Sequence, residues 1–387
     1  MIHVNAQNEL GSLVDELVLH IMRRMPSPYD RWNMMHCCSR FVSIQRDAGA
    51  LGLLGDLTKT QRDVNADFAA YYGHDLLLGA LLEAGADSNE TVFMGWTKLA
   101  FAAKHGHHLC VRVLLEAGSD AVNANNAKDD GYTALMLAAQ NGHDLCVRAL
   151  IEATVNLEAV QVQGFTALML ASKTGHDLCV RVLLEAGSDP EKANDDGFTA
   201  LMLAAQNGHD LCVRALIEAK ANLEAVQVQG FTALILASKT GHHVCVRVLI
   251  EAKSDPNKAT NLGVTALMYA ALNGHDLCAR ALLETGSDTD KASNEGGHAL
   301  MYASQFGHHM CTRALLEAGS DPNQASSKNY TALMLAAEHG QDLCARALID
   351  MKANVNHESN DGRTALTQAS KNGHDLCARA LIEAGAK

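Results

Sequence analysis

The chain has 387 residues and a formal net charge of −13 at pH 7. This acidic balance argues against a nucleic-acid partner, because proteins that bind nucleic acids carry a basic surface. The first residues lack the basic start and apolar run of a secretory signal, and no apolar stretch approaches the roughly 20 residues of a membrane span. We therefore expect no membrane insertion and no nucleic-acid binding.

Residues 8–47 have a pattern of their own. Leu13, Leu17, Ile21 and Met25 recur at four-residue steps, which predicts a helix with one apolar face. The segment from Pro26 to Pro28 ends this helix, because proline lacks an N–H donor and restricts the residue before it. A second helix is predicted from Asp30. Helices this small bury too little surface for a core of their own, so we expect them to need a partner.

The same residues resemble the F-box, a short helical module that docks on Skp1 in SCF-type ubiquitin ligases. Two departures are visible: the usual Leu-Pro start is Leu13-Val14 here, and Cys37 stands where valine is common. The resemblance implies docking on a Skp1-like adaptor, and through it on a cullin. The alternative is that these helices only cap the end of the following array. The adaptor-binding residues implied are Leu13, Val14, Glu16, Leu17, Ile21, Met25, Trp32, Cys38 and Phe41.

Residues 48–61 are predicted to be a short connector, and residues 62–387 form an array with a period of 33 residues. A Gly-His step, which becomes Gly340-Gln341 in one copy, marks the repeats, and only the interval from Gly106 to Gly142 differs, at 36 residues. Such a fixed period indicates stacked units that share one continuous core. The first repeat is degenerate. The marker glycines are Gly73, Gly106, Gly142, Gly175, Gly208, Gly241, Gly274, Gly307, Gly340 and Gly373.

One repeat predicts two short helices. Thr199 is placed to cap the first helix with its hydroxyl, and the step Gly208-His209 breaks it. Apolar residues at helical spacing, starting at Cys212, predict the second helix. A left-handed glycine such as Gly187 closes the second helix in many copies, and the run 194–197 is typical of a turn.

This pattern closely resembles the ankyrin repeat, with its G-x-T-x-L helix start, central Gly-His and L-L-E-A-G-A-D ending. The family's Thr-Pro-Leu-His appears here as Thr-Ala-Leu-Met. The resemblance implies an all-α ankyrin-repeat solenoid of about ten helix–turn–helix repeats with short hairpin turns, preceded by the small F-box-like segment. Residues 131–163 and 197–229 are nearly identical, so the array resembles a two-repeat cassette copied in tandem.

Nine of the eleven cysteines occupy one repeat position, represented by Cys212. Stacked helices lie roughly 8–10 Å apart, beyond the reach of a disulfide, so we expect small buried side chains. We expect the histidine of the Gly-His step, such as His209, to satisfy backbone groups at the helix break. No motif for a metal, a cofactor or catalysis is present. We therefore do not expect an enzyme.

A series of aromatic residues follows the turn glycines. In ankyrin repeats this place lies at the edge of the concave face, where partners are commonly held, and rigid aromatic side chains would supply binding hot spots. The alternative is that each ring packs against the next turn. The residues predicted to bind a target in this way are Trp96, Tyr132, Phe165, Phe198, Phe231 and Tyr330.

Two turns carry paired valines where the ankyrin family favours Lys and Asp. These are Val160 and Val162, and Val226 and Val228. β-Branched pairs favour extended backbone, and exposed valines would be adhesive, so these four residues are also predicted to contact a target.

The function predicted from the sequence is substrate recognition in an SCF-type E3 ubiquitin ligase, with a Skp1-like adaptor on residues 8–47 and an unidentified protein target on the array. The alternative is an ankyrin scaffold without a ubiquitin role, whose N-terminal helices act as a cap. The F-box and ankyrin combination resembles proteins of large DNA viruses and intracellular bacteria. It implies a cytoplasmic location, with the cytoplasm or nucleus of a host included.

Overall fold

The structure is a computed structural model that describes residues 58–90, 96–121 and 131–387. It divides into two compact units, Met1–Asp130 and Gly131–Lys387. The F-box-like segment 8–47 lies outside the described residues, as does most of the predicted connector 48–61.

The first unit contains two described helix pairs: α1 (Lys59–Tyr72) with α2 (Asp75–Glu83), and α3 (Lys98–His105) with α4 (His108–Glu116). Helix α1 begins inside the range predicted to be a connector. It packs on α3, and α2 packs on α4.

The second unit repeats the same pair eight times. Its helices are α5 (Ala134–Gln140), α6 (Asp144–Glu152), α7 (Ala167–Thr174), α8 (Asp177–Glu185), α9 (Ala200–Gln206), α10 (Asp210–Glu218), α11 (Ala233–Thr240), α12 (His243–Glu251), α13 (Ala266–Leu272), α14 (Asp276–Glu284), α15 (Ala299–Gln305), α16 (His309–Glu317), α17 (Ala332–Glu338), α18 (Asp342–Asp350), α19 (Ala365–Asn372) and α20 (Asp375–Glu383).

The odd-numbered helices of the second unit form one layer and the even-numbered helices form another. Each helix packs on the next of its own layer and on its partner in the same repeat. In α9 every residue from Ala200 to Ala205 is buried, because small alanines let neighbouring helices approach while Leu201 and Met202 fill the space between them. The predicted all-α solenoid of about ten repeats is confirmed across the described residues.

Threonine hydroxyls cap the first helices as predicted. The Oγ1 atom of Thr199 accepts a hydrogen bond from the Met202 N–H at 3.4 Å and so satisfies one of the free donors at the helix start. The cap recurs at Thr97, Thr133, Thr166, Thr232, Thr265, Thr331 and Thr364.

The Gly-His step joins neighbouring repeats. Gly208 has a φ of +79°, and a Cβ atom there would lie 2.5 Å from Nδ1 of His242 in the next repeat. The other ring nitrogen reaches back one repeat: Nε2 of His209 lies 3.1 Å from the carbonyl oxygen of Lys173. Because a carbonyl oxygen only accepts hydrogen bonds, this pairing requires the proton on Nε2. The expectation that these histidines satisfy backbone groups is confirmed, and the bond they make is between repeats.

The hairpin turns are linked in the same manner. Within one turn, Gly197 donates its N–H to the Asn194 carbonyl at 2.8 Å and has a φ of +83°. Between turns, the Asp195 N–H donates to the Gln163 carbonyl at 3.3 Å, and the Asn261 N–H donates to the Gln229 carbonyl at 3.1 Å. Backbone hydrogen bonds therefore hold the turns of adjacent repeats in register.

The repeated cysteines are buried and free, as predicted, in the described part of the chain. Burial raises the pKa of the Cys212 thiol to about 12, helped by the carboxylates of Asp177 and Asp210. These side chains are therefore neutral thiols near pH 7 and pack as small apolar groups.

Within the second unit, one first helix lacks the threonine cap. His298 stands at this position before α15 and makes no capping hydrogen bond. Its side chain is 1% exposed, Nε2 lies 3.3 Å from the Gln324 carbonyl oxygen, and Nδ1 has no partner. Burial lowers the pKa of His298 from its ordinary value of 6.5, while the hydrogen bond to Gln324 opposes that effect.

The inter-repeat contact predicts that Gly208→Ala destabilises the array more than Gly187→Ala does. Both glycines have positive φ, which costs an alanine about 1–2 kcal/mol, but only at position 208 does the new methyl group overlap a neighbouring ring. We expect an additional loss of about 1–3 kcal/mol for Gly208→Ala, measured by urea unfolding followed by circular dichroism.

The double variant Gly208→Ala/His242→Ala is the control for this prediction. Removing the ring makes room for the methyl group, so the two substitutions should cost less together than the sum of their separate effects. Additive losses would show that the overlap with His242 is not the cause.

The missing cap predicts a gain from His298→Thr. We expect about 1 kcal/mol of extra stability at pH 8, since threonine supplies the absent hydrogen bond. Because the pKa of His298 is lower in the folded state, His298 is protonated in the unfolded chain at a higher pH than in the folded chain. The stability of the wild-type chain is therefore unaffected by His298 protonation above about pH 6.5, and it falls as the pH drops below that value.

The advantage of the threonine variant should accordingly be larger at pH 5.5 than at pH 8 in urea unfolding. Comparing the two proteins at each pH cancels the contributions of the other histidines. An advantage that is the same at both pH values would contradict the assignment to His298.

Candidate protein-binding surface

The predicted aromatic residues divide into two groups by burial. Phe165 is 9% exposed and Phe231 is 6% exposed, so both rings are part of the packed array. Those of Trp96, Tyr132, Phe198 and Tyr330 are half-buried. The packing alternative therefore describes Phe165 and Phe231, whereas the other four residues remain partly exposed.

Lysines lie over several of these rings. Nζ of Lys173 is 5.0 Å from the ring centroid of Phe165, and Nζ of Lys239 is 4.9 Å from that of Phe231 and 5.6 Å from that of Tyr269. These distances fit cation–π contacts. The surface of the second unit that carries Lys173, Lys239, Phe165, Phe198 and Phe231 is called the first-helix face below.

In the first unit, Nζ of Lys104 lies 4.6 Å from the ring centroid of Trp96. In three of the four lysine–aromatic pairs, those with Trp96, Phe165 and Phe231, the lysine follows its aromatic residue by eight positions. This pairing was not predicted from the sequence, although the fixed offset of 165 to 173 and 231 to 239 could have indicated it. Gln206 occupies the corresponding position after Phe198, so lysine and glutamine alternate from Gln140 to Lys239.

Farther along the array, glycine replaces the aromatic residue. A Cβ atom on Gly297 would lie 2.6 Å from the phenol oxygen of Tyr302, which is 3.1 Å from Oγ of Ser293. A cleft of about 750 Å³ lies here, lined among others by Tyr302, Tyr330 and Arg363. Arg363 donates to the Tyr330 hydroxyl at 3.0 Å and pairs with Asp361 at 2.8 Å, so its charge is already matched.

The four predicted valines are all exposed. Val160 and Val162 are 47% and 68% exposed, and Val226 and Val228 are 49% and 73% exposed. Gln161, between the first two, is buried and accepts a hydrogen bond from the Gln163 backbone N–H within the turn. Each turn is therefore held by a buried polar side chain while its valines face solvent.

The described part of the chain contains no helix long and apolar enough to cross a membrane. The residues predicted to bind a Skp1-like adaptor, from Leu13 to Phe41, lie outside the described residues and remain a sequence prediction.

Burial predicts different costs for two equivalent phenylalanines. Phe165→Ala should lower the free energy of unfolding by about 2–4 kcal/mol, because it empties a packed position and removes the ring beneath Lys173. Phe198→Ala, at a half-buried ring, should cost about 1 kcal/mol. Urea unfolding of the two variants measures this difference, and equal losses would contradict the distinction between packed and accessible rings.

Comparisons with known proteins agree with this architecture. The family model described as ankyrin repeats in three copies matches residues 67–159, 122–194, 168–260, 252–326 and 300–387. The crystal structure of the human ASB11 ankyrin repeat domain is similar, with a TM-score of 0.53 and 25% identity, over 58% of this chain and 99% of that one. No curated protein matches the chain. Because the family model covers most of the sequence, this chain belongs to the ankyrin repeat family.

Proposed function

We propose that this chain is the substrate-recognition subunit of an SCF-type E3 ubiquitin ligase. Ankyrin repeats are protein-binding modules, and no catalytic domain is present among the described residues. In the proposal the array holds a target protein, and residues 8–47 dock on a Skp1-like adaptor that connects the complex to a cullin. The adaptor half is supported by the F-box resemblance of Leu13, Leu17, Ile21 and Phe41.

The proposal that the array binds a target is supported by the exposure of Val162 and Val228 on turns whose conformation is held by hydrogen bonds. Backbone hydrogen bonds between adjacent turns and the buried Gln161 and Gln227 side chains hold these turns in place. A partner that covers the valines gains apolar burial without having to order the loops first. The exposed valines are therefore suited to binding.

The proposed mechanism is proximity. Holding the target and a ubiquitin-loaded enzyme in one complex raises their effective concentration without any chemistry by this chain. The buried thiols agree with that role, since a thioester carrier needs an accessible thiolate. Cys212 is buried and burial raises its pKa to about 12, and the same holds for Cys179 and Cys245.

The proposal is tested with three full-length baits in a eukaryotic lysate: the wild-type chain, Leu17→Ala/Ile21→Ala and Val162→Thr/Val228→Thr. We expect the first double variant to lose the Skp1-like adaptor and the cullin but to keep the array-bound proteins. The second should keep the adaptor and lose array-bound proteins, because threonine preserves shape and removes apolar contact. Blotting for the adaptor and the cullin, together with mass spectrometry of the retained proteins, gives both readouts.

Each half of the proposal fails separately. Undiminished adaptor binding by Leu17→Ala/Ile21→Ala would remove the docking assignment. A wild-type chain that retains no adaptor would identify residues 8–47 as a cap on an ankyrin scaffold. Unchanged retention of array-bound proteins by the valine variant would exclude the turns as the target surface.

A further inference from the structure

The two helix layers of the second unit differ in the sign of their net charge. The first helices from α5 to α15 contain Lys173 and Lys239 and no acidic residue. Every second helix from α6 to α20 ends at an aspartate or a glutamate, six of them also begin with an aspartate, and each contains one arginine, so fourteen acidic residues stand against eight arginines. A chain with a net charge of −13 therefore has a positive region in its first-helix layer. A region whose sign opposes the net charge favours an acidic partner.

The two lysines of this region are available. Both are exposed, and neither has an ion-pair partner among the residues that the structure describes. Lysines near the turns differ in this respect, because each has an ion-pair partner. Lys192 pairs with Glu158 at 3.5 Å, and Lys258 pairs with Glu224 at 3.4 Å. The ring contacts hold the ammonium groups of Lys173 and Lys239 in place, so a carboxylate would bind groups that are already positioned.

The spacing of the lysines sets the length of the bound segment. They lie two repeats apart, which corresponds to about 20 Å at a helix-packing distance of about 10 Å. An extended chain advances about 3.3 Å per residue, so about six residues separate two carboxylates that reach both lysines.

The residues around the lysines favour an extended segment over a helix. The backbone N–H and C=O groups of an extended segment need hydrogen-bond partners on the protein, whereas those of a helix bond to each other. Gln140 and Gln206 occupy the positions that alternate with the lysines, and their half-buried side-chain amides can both donate and accept. The half-buried Phe198 lies in the repeat between the two lysines and offers an apolar contact.

We propose that the first-helix face binds an extended acidic segment of a partner protein, with two carboxylate groups about six residues apart on Lys173 and Lys239. This inference rests on the proposed target-binding role of the array and adds the class of target. Asp195 and Asp196 are exposed on the turn between those carrying Val162 and Val228, and they disfavour acidic residues next to that turn.

The test measures binding of fluorescein-labelled peptides to the full-length chain by fluorescence polarisation at low salt. One 13-residue peptide of serine and threonine carries two Glu-Glu pairs whose centres are six residues apart. A second has the same composition with its four glutamates adjacent, and a third has glutamine in place of glutamate. We expect the spaced acidic peptide to bind at least about tenfold more tightly than the glutamine peptide and more tightly than the clustered one.

Matched variants locate the site. Lys173→Gln/Lys239→Gln introduces the residue found at the equivalent positions 140 and 206, and should weaken binding of the spaced peptide about tenfold. Arg148→Gln/Arg247→Gln removes the same charge from exposed second-helix residues and should leave binding unchanged. Asp195→Asn/Asp196→Asn should strengthen binding. Circular dichroism of each variant checks that the array remains folded.

The proposal is overturned if the glutamine or the clustered peptide binds as well as the spaced one, if no peptide binds at millimolar concentration, or if both charge variants weaken binding equally. None of these outcomes affects the proposed ligase role. That role is tested by the lysate experiment, whose variants Leu17→Ala/Ile21→Ala and Val162→Thr/Val228→Thr leave both lysines intact. Loss of the ligase role in the lysate experiment, conversely, leaves the peptide measurement valid.

Discussion

The contact between a glycine and the histidine of the next repeat is the constraint on which the array depends. Gly208 must be left-handed to end its helix, and it must lack a side chain because the His242 ring occupies the adjoining space. A histidine ring also reaches back to a carbonyl group at the end of the previous first helix, as His209 does to Lys173. Both residues therefore recur together, and each repeat is positioned by the one before it.

The fold depends on buried, capping and turn residues, so many surface residues can vary without affecting it. The alanines, leucines and cysteines of the two layers form the core, and threonine caps and turn glycines set the backbone. Stability is the sum of many similar interfaces, so no single turn or helix end is indispensable to the fold. Val162 and Val228 are largely exposed and add little to this core, so their side chains can vary without loss of the fold.

Periodicity accounts for most of what could be predicted. The 33-residue interval, the cap at Thr199 and the burial of Cys212 all follow from local pattern and helix geometry. Burial of individual rings could not be predicted, because Phe165 and Phe198 occupy the same repeat position and differ only through their neighbours. The buried ion pair of Lys98 with Asp67, at 2.8 Å, could not be predicted from the sequence either. Asp67 belongs to the degenerate first repeat, and Lys98 stands at a helix start where the other repeats have alanine.

The position of a partner along the second unit has physical consequences of its own. The Lys173–Lys239 region and the cleft lined by Tyr302 and Arg363 are separated by several repeats, or roughly 30–40 Å at about 10 Å per repeat. A stack whose neighbouring repeats are joined by histidine–carbonyl and turn hydrogen bonds has little freedom to shorten that distance. A protein bound at one site is therefore presented at a different place from a protein bound at the other. For an adaptor that works by proximity, where the target binds is then as important as how tightly it binds, because effective concentration depends on reach.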